Sequence, residues 1–296
     1  MNTPPFCAMF TSKRVLVTGA TGLIGQYAVP QLINAGHEVL AVSRSGKGPG
    51  GISLDLHDTE KVNAFMKAER PEYLLHLAWD VSAGYLSSPN NLDWVIASLS
   101  LLKNFALNGG KRAVFVGTCF EYDLNYGYLS EDVTPLRPDS LYATAKVSLS
   151  QFASEWAKDN GLSFGWGRVF FLYGRNEKPE RIVPYIVNCL KNGEKPALKY
   201  PHILRDYMHA SDMAGGLIAL MFSDFDGAVN IASGTAVPLC KIAEKAAEII
   251  GCPVPKYDVK ASDNIAPLIL GDTRRLNNVI GFTPRVSLEE GLRDLL

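Results

Sequence analysis

A glycine-rich segment directly after the first apolar run places the strongest constraint on the fold of this chain. The run KRVLVT at residues 13–18 has the apolar, β-branched character of a buried strand, and GATGLIG follows it at once. Glycines between a parallel strand and a helix let the backbone approach a diphosphate, which the helix N-terminus binds through free N–H groups and its dipole. We therefore predict a dinucleotide-binding turn whose cofactor-contacting residues are Gly19, Thr21, Gly22, Leu23, Ile24 and Gly25.

Further apolar runs alternate with helical patterns through the first half of the chain. The runs HEVLAVS, EYLLHLAW, KRAVFVGT and LSFGWGRVF predict strands, and long helices are predicted over 89–108 and 141–159. Strands interleaved with such helices pair in parallel and are covered on both faces. We predict an α/β fold, a Rossmann-like doubly wound parallel sheet with a smaller C-terminal substrate-binding lobe. The predicted NAD(P)-binding domain spans 1–174, with 203–250 partly returning to it, and the predicted substrate-binding lobe comprises 175–202 and 251–296.

Composition excludes several classes of partner. The 296 residues carry a formal net charge of −1 and no basic block, so neither nucleic acid nor an anionic membrane is expected as a partner. The five cysteines and five histidines are dispersed, which argues against a disulfide framework and a metal site. No basic segment followed by a long apolar stretch begins the chain, and no apolar run approaches the roughly 20 residues of a membrane span. A soluble, cytoplasmic protein is expected.

The end of the second predicted strand indicates which dinucleotide binds. A carboxylate at this position accepts hydrogen bonds from the ribose 2′-hydroxyl of NAD. Here the residues are Ser43 and Arg44, a hydroxyl and a guanidinium that suit a 2′-phosphate. NADP is therefore the predicted cofactor, with NAD as the alternative. Asp55 and Leu56 after the third strand are candidates to meet the adenine, unless Asp55 only caps a turn.

A tyrosine and a lysine open the helix predicted over 141–159. Tyr142 and Lys146 are spaced i and i+4, which puts them on one helical face. An ammonium beside a phenol favours the phenolate and lowers a pKa that is otherwise near 10. The pair is a candidate acid/base, although an isolated Y-x-x-x-K more often lies on a helix surface. Its position after a dinucleotide turn and a strand ending in Gly-Thr favours the catalytic interpretation.

These motifs, in this order, resemble the extended short-chain dehydrogenase/reductase family, in particular its nucleotide-sugar branch. The resemblance covers residues 13–296 and rests on TGATGLIG, HLAW, GTCFEY, YATAK, RDYMHASDMA and LGDTRRLNNVIGFTPRVSLEEGL. It implies an enzyme with a catalytic triad of Thr118, Tyr142 and Lys146. It further implies that Leu77, Ala78 and Trp79 flank the cofactor, together with Tyr142 and Lys146. The same resemblance gives the substrate diphosphate to Arg205, with Arg274 as a second candidate.

The reaction is narrowed by the residues after Thr118. Family members that remove water from a nucleotide hexose carry an Asp-Glu pair there, whereas this chain has Cys119 and Phe120. Glu121 comes one residue later, on the opposite face if the segment is extended. A 4,6-dehydratase is therefore not expected. Family members also often carry an Asn that contacts the substrate phosphate where this chain has Phe171. The residues expected to contact the substrate are Cys119, Phe120, Glu121, Phe171, Arg205 and Arg274.

Two chemistries and one non-catalytic alternative stay open. A 4-ketoreductase consumes NADPH to reduce an NDP-4-keto-6-deoxyhexose, with Tyr142 protonating the new alkoxide. A 4-epimerase oxidises C4 and reduces it again with bound NAD. The residues Ser43 and Arg44 favour reduction as the predicted function. A regulator that senses NADP without turnover is the remote alternative, because such a protein has no need of Tyr142 and Lys146.

A homodimer is a further expectation. The helices over 89–108 and 141–159 each carry an apolar stripe, and in the resembled family these two helices often form a four-helix dimer interface. Core packing within one chain is the alternative use of the same residues. They are Leu92, Val95, Ile96, Leu99, Leu102, Phe105, Leu149, Phe152 and Trp156.

Overall fold

The computed structural model describes residues 12–48, 50–258 and 265–296. The strands are β1 (Arg14–Thr18), β2 (Glu38–Ser43), β3 (Ile52–Ser53), β4 (Tyr73–His76), β5 (Arg112–Thr118), β6 (Tyr128–Leu129), β7 (Ser163–Val169), β8 (Phe171–Tyr173), β9 (Leu204–His209), β10 (Gly227–Ile231), β11 (Ala236–Pro238) and β12 (Leu268–Gly271). The helices are α1 (Gly25–Asn34), α2 (Thr59–Glu69), α3 (Asn90–Leu107), α4 (Leu141–Asp159), α5 (Ile182–Lys191), α6 (Ala210–Met221), α7 (Leu239–Ile250), α8 (Arg274–Asn278) and α9 (Leu288–Asp294).

Seven strands form a parallel sheet in the order β10-β7-β5-β4-β1-β2-β3. The chain winds outward from β1 to β2 and β3, then returns to the other side of β1 and continues through β4, β5, β7 and β10. The order therefore reverses between β1 and β4. At such a switch point the connections diverge and leave a crevice beyond the carboxyl ends of the strands. The predicted doubly wound α/β fold is confirmed, and its ligand crevice lies at the ends of β1 and β4.

Apolar side chains on both faces of the sheet explain the unbroken hydrophobic runs of its strands. Leu16 and Phe115 are fully buried in the cluster that includes α2, α3 and α4, while Val15 and Val17 are fully buried in the cluster of α1 and α6. Successive strand residues point to opposite faces, so a strand covered on both sides is apolar at every position. This packing holds the glycine segment and the ends of β4 and β5 in fixed relative positions.

The smaller lobe is built from β6, β8, β9, β11 and β12, with α5, α7 and α9 packed in its core. Strand β6 comes from the first half of the chain and pairs with β12, so the lobe is not a separate C-terminal block. Between its pieces the chain returns to the large sheet as α6 and β10. Within the predicted returning segment, β9, β11 and α7 belong to the smaller lobe. None of the helices in the described residues combines the length and apolar character of a membrane span.

Candidate active site

The glycine segment turns tightly at the end of β1, against the chain that leaves β4. Gly19 has φ of +68°, and a Cβ there would lie 2.8 Å from the backbone nitrogen of Ala78. A Cβ on Gly25 would lie 2.6 Å from the carbonyl oxygen of Ala20. Side chains at either position would push the turn away from β4 or from the start of α1. Both glycines are therefore needed for the close approach of the turn to the crevice.

Helix α1 begins at Gly25, because residues 21–24 form a turn. No side chain caps this helix. Within the described residues, the backbone N–H groups of Leu23, Ile24 and Gly25 make no hydrogen bond. Unpaired N–H groups at the positive end of a helix dipole form an anion site. The turn and the uncapped helix start therefore fit the diphosphate of a dinucleotide.

The residues at the end of β2 and after β3 are predicted to meet the adenosine part of the cofactor. The Ser43 hydroxyl accepts the N–H of Gly46 at 3.1 Å, and its own proton stays free to be donated. Arg44 is exposed, makes no ion pair with a described carboxylate, and lines a cleft with His57, Asp80, Asp93 and Trp94 among others. Asp55 uses one carboxylate oxygen to accept the N–H of His57 at 3.0 Å. Leu56 is buried in the core, whereas Asp55 is exposed.

The three residues of the predicted triad lie together at the end of β5. Ser140 caps α4 by accepting the N–H of Ala143 at 3.3 Å, which fixes Tyr142 in the first turn and Lys146 one turn later. Thr118 is the last residue of β5, and its hydroxyl accepts the N–H of Phe120 at 3.3 Å. The Thr118 side chain also interacts with the Tyr142 phenol. All three side chains are buried, so water has little access to them.

Burial dominates the electrostatics of this cluster. It raises the pKa of the Tyr142 phenol above its ordinary value and lowers the pKa of the Lys146 ammonium to about 7. The Lys146 Nζ donates to the carbonyl oxygen of Val116 at 2.8 Å. The expectation that Lys146 lowers the pKa of Tyr142 is therefore not met, because the ammonium is turned toward the Val116 carbonyl and desolvation outweighs its charge.

Trp79 covers the Lys146 ammonium. Its ring centre lies 3.6 Å from the Lys146 Nζ, a cation–π contact. The indole N–H donates to the Asn91 side chain at 3.0 Å, and the ring stacks on Trp94 with centroids 5.9 Å apart. The family resemblance implies that Trp79 flanks the cofactor but gives no sign of this contact, which joins the segment after β4 to α4. The Trp79 indole therefore lies beside Lys146 at the crevice.

The segment after Thr118 is a 3₁₀ turn over Cys119–Glu121 rather than an extended strand. Cys119 is 2% exposed, and burial raises its pKa to about 12, so it is a neutral thiol at physiological pH. Glu121 is fully buried and accepts the backbone N–H of Thr118 at 2.8 Å. Its carboxylate also accepts the Trp166 indole N–H and pairs with Arg168 at 2.7 Å. The expectation that Glu121 contacts the substrate is wrong, because its oxygens are enclosed by these partners.

An aromatic wall and a buried arginine lie beyond this turn. Phe120 and Phe171 meet edge to face with centroids 5.9 Å apart, and Phe171 contacts Tyr207 at 5.5 Å. The Arg205 guanidinium lies over the Phe171 ring and donates to the carbonyl oxygen of Leu204. Arg205 is 6% exposed and has no carboxylate partner in the described part of the chain. Because a buried cation without a counterion is costly, this guanidinium suits an anionic ligand.

Arg274 has a different environment. Its guanidinium pairs with the Asp272 carboxylate at 2.5 Å, and its side chain is 74% exposed. This pairing lowers the pKa of Asp272 to about 2. The Arg274 charge is therefore already neutralised by a neighbouring residue, and its predicted contact with the substrate stays a prediction.

The fold and this cluster define a class of protein: a dinucleotide-binding α/β oxidoreductase with a Tyr-Lys pair at the switch-point crevice. The chain belongs to the NAD-dependent epimerase/dehydratase family, whose model matches residues 15–232. The prediction of an extended short-chain dehydrogenase/reductase is thereby confirmed.

Individual relatives act on several nucleotide sugars. The chain is 27% identical to the dTDP-6-deoxy-L-talose 4-dehydrogenase (NAD(+)) of Aggregatibacter actinomycetemcomitans, over 83% of this chain and 94% of the relative. It is 25% identical to GDP-L-fucose synthase 1 of Arabidopsis thaliana, over 95% and 91% of the two chains. Among solved structures, MoeE5 in complex with UDP-glucuronic acid and NAD is 30% identical with a TM-score of 0.78, covering 95% of this chain and 97% of that one.

Proposed function

We propose that the protein is an NADP-dependent oxidoreductase that reduces the C4 ketone of an NDP-4-keto-6-deoxyhexose. The observation that carries this proposal is the buried cluster of Thr118, Tyr142 and Lys146 at the crevice of the dinucleotide-binding sheet. The likeness to a 4-dehydrogenase and a GDP-L-fucose synthase supports redox chemistry on a deoxysugar nucleotide.

In the proposed reaction the Tyr142 and Thr118 side chains act on the oxygen at C4 of the sugar, and Lys146 lies beside Tyr142. The cofactor, when bound, supplies the hydride that adds to C4 as the carbonyl π bond breaks. Tyr142 gives its proton to the resulting alkoxide oxygen and becomes a phenolate, with the Lys146 Nζ 5.9 Å from the centre of its ring. The Thr118 hydroxyl donates a hydrogen bond to the same oxygen. The raised pKa of Tyr142 suits this direction, because the phenol keeps its proton until the stronger base forms.

The alternatives differ in what they require of the site. A 4,6-dehydratase needs an acid and a base after Thr118, and the neutral Cys119 thiol and the Phe120 ring supply neither. A 4-epimerase uses the same Tyr142 and Lys146, and UDP-glucose 4-epimerases share the fold, as in the Thermotoga maritima structure with a TM-score of 0.83 at 24% identity. Epimerisation with bound NAD therefore stays as the second candidate function.

Binding of the substrate diphosphate is proposed for Arg205. Its guanidinium is buried and unpaired with any described carboxylate, and it lies over the Phe171 ring. An arginine fork matches phosphate oxygens in pairs. The aromatic wall of Phe120 and Phe171 offers apolar surface beside it. Arg274 is a second, more exposed candidate for the same anion.

The preference for NADP is proposed to rest on Arg44. In an Arg44→Ala variant, the Kd of NADPH is expected to rise about 10- to 100-fold while the Kd of NADH changes less than twofold, because only the 2′-phosphate loses a charge partner. Isothermal calorimetry on the purified protein measures both constants. Lys67→Ala, an exposed lysine on α2, is the matched control and should change neither. Equal effects on NADPH and NADH would contradict the assignment.

Consumption of the reductant distinguishes the two candidate reactions. The wild-type protein is mixed with dTDP-, GDP-, UDP- and CDP-linked 4-keto-6-deoxyhexoses, and NADPH and NADH oxidation is followed by absorbance. Reduction predicts stoichiometric loss of NADPH with at least one of these sugars. Interconversion of the corresponding 4-hydroxy sugar nucleotides, supplied in place of the keto sugars and without net loss of cofactor, would support the epimerase instead.

A homodimer through α3 and α4 is also proposed. Leu92, Ile96 and Phe152 on these helices are 63%, 58% and 58% exposed, whereas Leu102 and Leu149 belong to the core of the chain. Light scattering at micromolar concentration should give twice the mass of one chain. Replacing both Ile96 and Phe152 by Glu should give a monomer, while Val133→Glu, on an exposed loop residue, should not. A monomeric wild type would dispose of the dimer.

A further inference from the structure

A second phenol faces the catalytic tyrosine. The rings of Tyr85 and Tyr142 meet edge to face, with centroids 4.9 Å apart and planes at 81°. After burial, the proximity of Tyr85 is the next largest cause that raises the pKa of Tyr142, which indicates that the two hydroxyl groups lie in the same region. The Tyr85 hydroxyl makes no hydrogen bond with any described residue, although its backbone carbonyl does. It is therefore a free donor and acceptor beside the reaction centre.

The backbone of Tyr85 is held in place by residues of the dinucleotide-binding domain. Tyr85 begins a 3₁₀ turn over Tyr85–Ser87, which follows Gly84 in a left-handed conformation with φ of +80°. The buried Asn91 side chain at the start of α3 donates to the carbonyl oxygens of Tyr85 and Ser88 at 2.7 and 2.9 Å. The Asn91 amide thus holds both ends of this turn. The turn has a defined position over the catalytic pair.

The ring of Tyr85 is fixed from the smaller lobe. Arg181, the residue before α5, donates from Nη2 to the carbonyl oxygen of Val81 at 2.8 Å. Its guanidinium carbon lies 5.4 Å from the centre of the Tyr85 ring, a cation–π contact. Arg181 therefore connects the lobe that carries Arg205 with the segment that covers Tyr142.

We propose that Tyr85 is a further substrate-contacting residue, which donates its hydroxyl to a sugar oxygen next to C4, and that Arg181 positions it. The inference rests on the proposed function. If the C4 carbonyl of the sugar is held at the Tyr142 hydroxyl, the oxygens on the adjacent sugar carbons lie beside the Tyr85 phenol. The Tyr85 ring adds apolar surface to the same face of the site. The contact of Arg181, from the smaller lobe, sets the position of the Tyr85 ring relative to Tyr142.

A Tyr85→Phe variant tests the hydroxyl alone, because the ring and its contacts remain. We expect KM for the 4-keto-6-deoxyhexose nucleotide to rise about tenfold, with the Kd of NADPH and the thermal midpoint of unfolding unchanged. A merely structural tyrosine would lower stability or cofactor affinity instead. Unchanged KM and kcat in Tyr85→Phe, with an active wild type, would overturn the proposal and leave the proposed reaction intact.

Arg181→Lys keeps the charge but loses the planar group that covers the ring. Arg181→Lys should raise KM, as Tyr85→Phe does. In a protein that already carries Tyr85→Ala, Arg181→Lys should raise KM by less than a further twofold. Lys178→Ala, an exposed lysine on the same loop, is the control and should leave KM unchanged. If Arg181→Lys raised KM by the same factor in the wild-type protein and in the Tyr85→Ala protein, Arg181 would not act through Tyr85.

A wild type that reduces none of the keto sugars overturns the proposed function, and binding then decides the role of Tyr85. The probe is dTDP-glucose, titrated calorimetrically into the NADP-saturated wild type and Tyr85→Phe proteins. Weaker binding to Tyr85→Phe, by about tenfold, supports the contact with the sugar. Equal affinities, or no binding to either protein, overturn it.

Discussion

Replacement of Tyr142 by phenylalanine is expected to lower kcat for reduction of the 4-keto sugar about 10²- to 10⁴-fold, the usual contribution of a positioned general acid. The phenol is buried beside Thr118 and Lys146, so no water is at hand to supply the proton in its place. Because hydride addition leaves an alkoxide at C4, the loss falls on kcat. The rate is measured from NADPH consumption at saturating substrate.

Binding measurements separate a lost proton donor from a damaged site. The Kd of NADPH for Tyr142→Phe should stay within about threefold of the wild-type value, because the ring remains. Tyr126→Phe, at a tyrosine that is 55% exposed, is the matched control and should retain full activity. Turnover by Tyr142→Phe at the wild-type rate would contradict the role of Tyr142 as the general acid. It would favour the alternative that the protein is a regulator that senses NADP without turnover.

The second large effect concerns stability. Arg168→Met is expected to lower the free energy of unfolding by about 3–5 kcal/mol, because it leaves the fully buried Glu121 carboxylate without its counterion. The same change removes the donor that Arg168 supplies to the Tyr122 hydroxyl at 2.9 Å. Urea denaturation followed by circular dichroism measures the difference. Glu121 also accepts the backbone N–H of Thr118, so activity should fall together with stability.

Two further variants show whether the unpaired charge is the cause. Glu289→Gln breaks an exposed pair with Arg293 on α9 and should change stability little. Glu121→Gln combined with Arg168→Met should recover part of the loss, because no buried charge is then left unpaired. A single Arg168→Met variant as stable as Glu289→Gln would show that the buried pair contributes nothing to the fold.

Local sequence signals account for the parts of the structure that were predicted well. The glycine spacing and the following helix predict the dinucleotide turn, because close backbone approach at Gly19 and Gly25 leaves no space for a Cβ. The predicted bounds of α4, 141–159, agree with the structure, in which Ser140 caps the start of the helix. The family and the α/β fold could be predicted for a similar reason, because the motifs that indicate them each lie within a single strand–turn–helix unit.

Contacts between distant segments account for what the sequence could not predict. Glu121 meets Arg168, Lys146 meets Trp79, and Tyr85 meets Arg181, pairs that come together only when the sheet and the two lobes are assembled. The i, i+4 spacing of Tyr142 and Lys146 predicts their shared face but not their burial. Desolvation therefore reverses the expected pKa shift of Tyr142. The 3₁₀ turn after Thr118 likewise depends on the Glu121 carboxylate folding back to cap it.

Transfer of deuterium tests the central proposal most directly. The protein is incubated with NADPH that carries deuterium at the transferable position of the nicotinamide C4, together with the 4-keto-6-deoxyhexose nucleotide that it reduces fastest. The sugar product is examined by NMR and mass spectrometry. The proposed reductase predicts one deuterium at C4 of the sugar for each NADPH consumed. A product without deuterium at C4, or sugar interconversion with the cofactor unchanged, would contradict it.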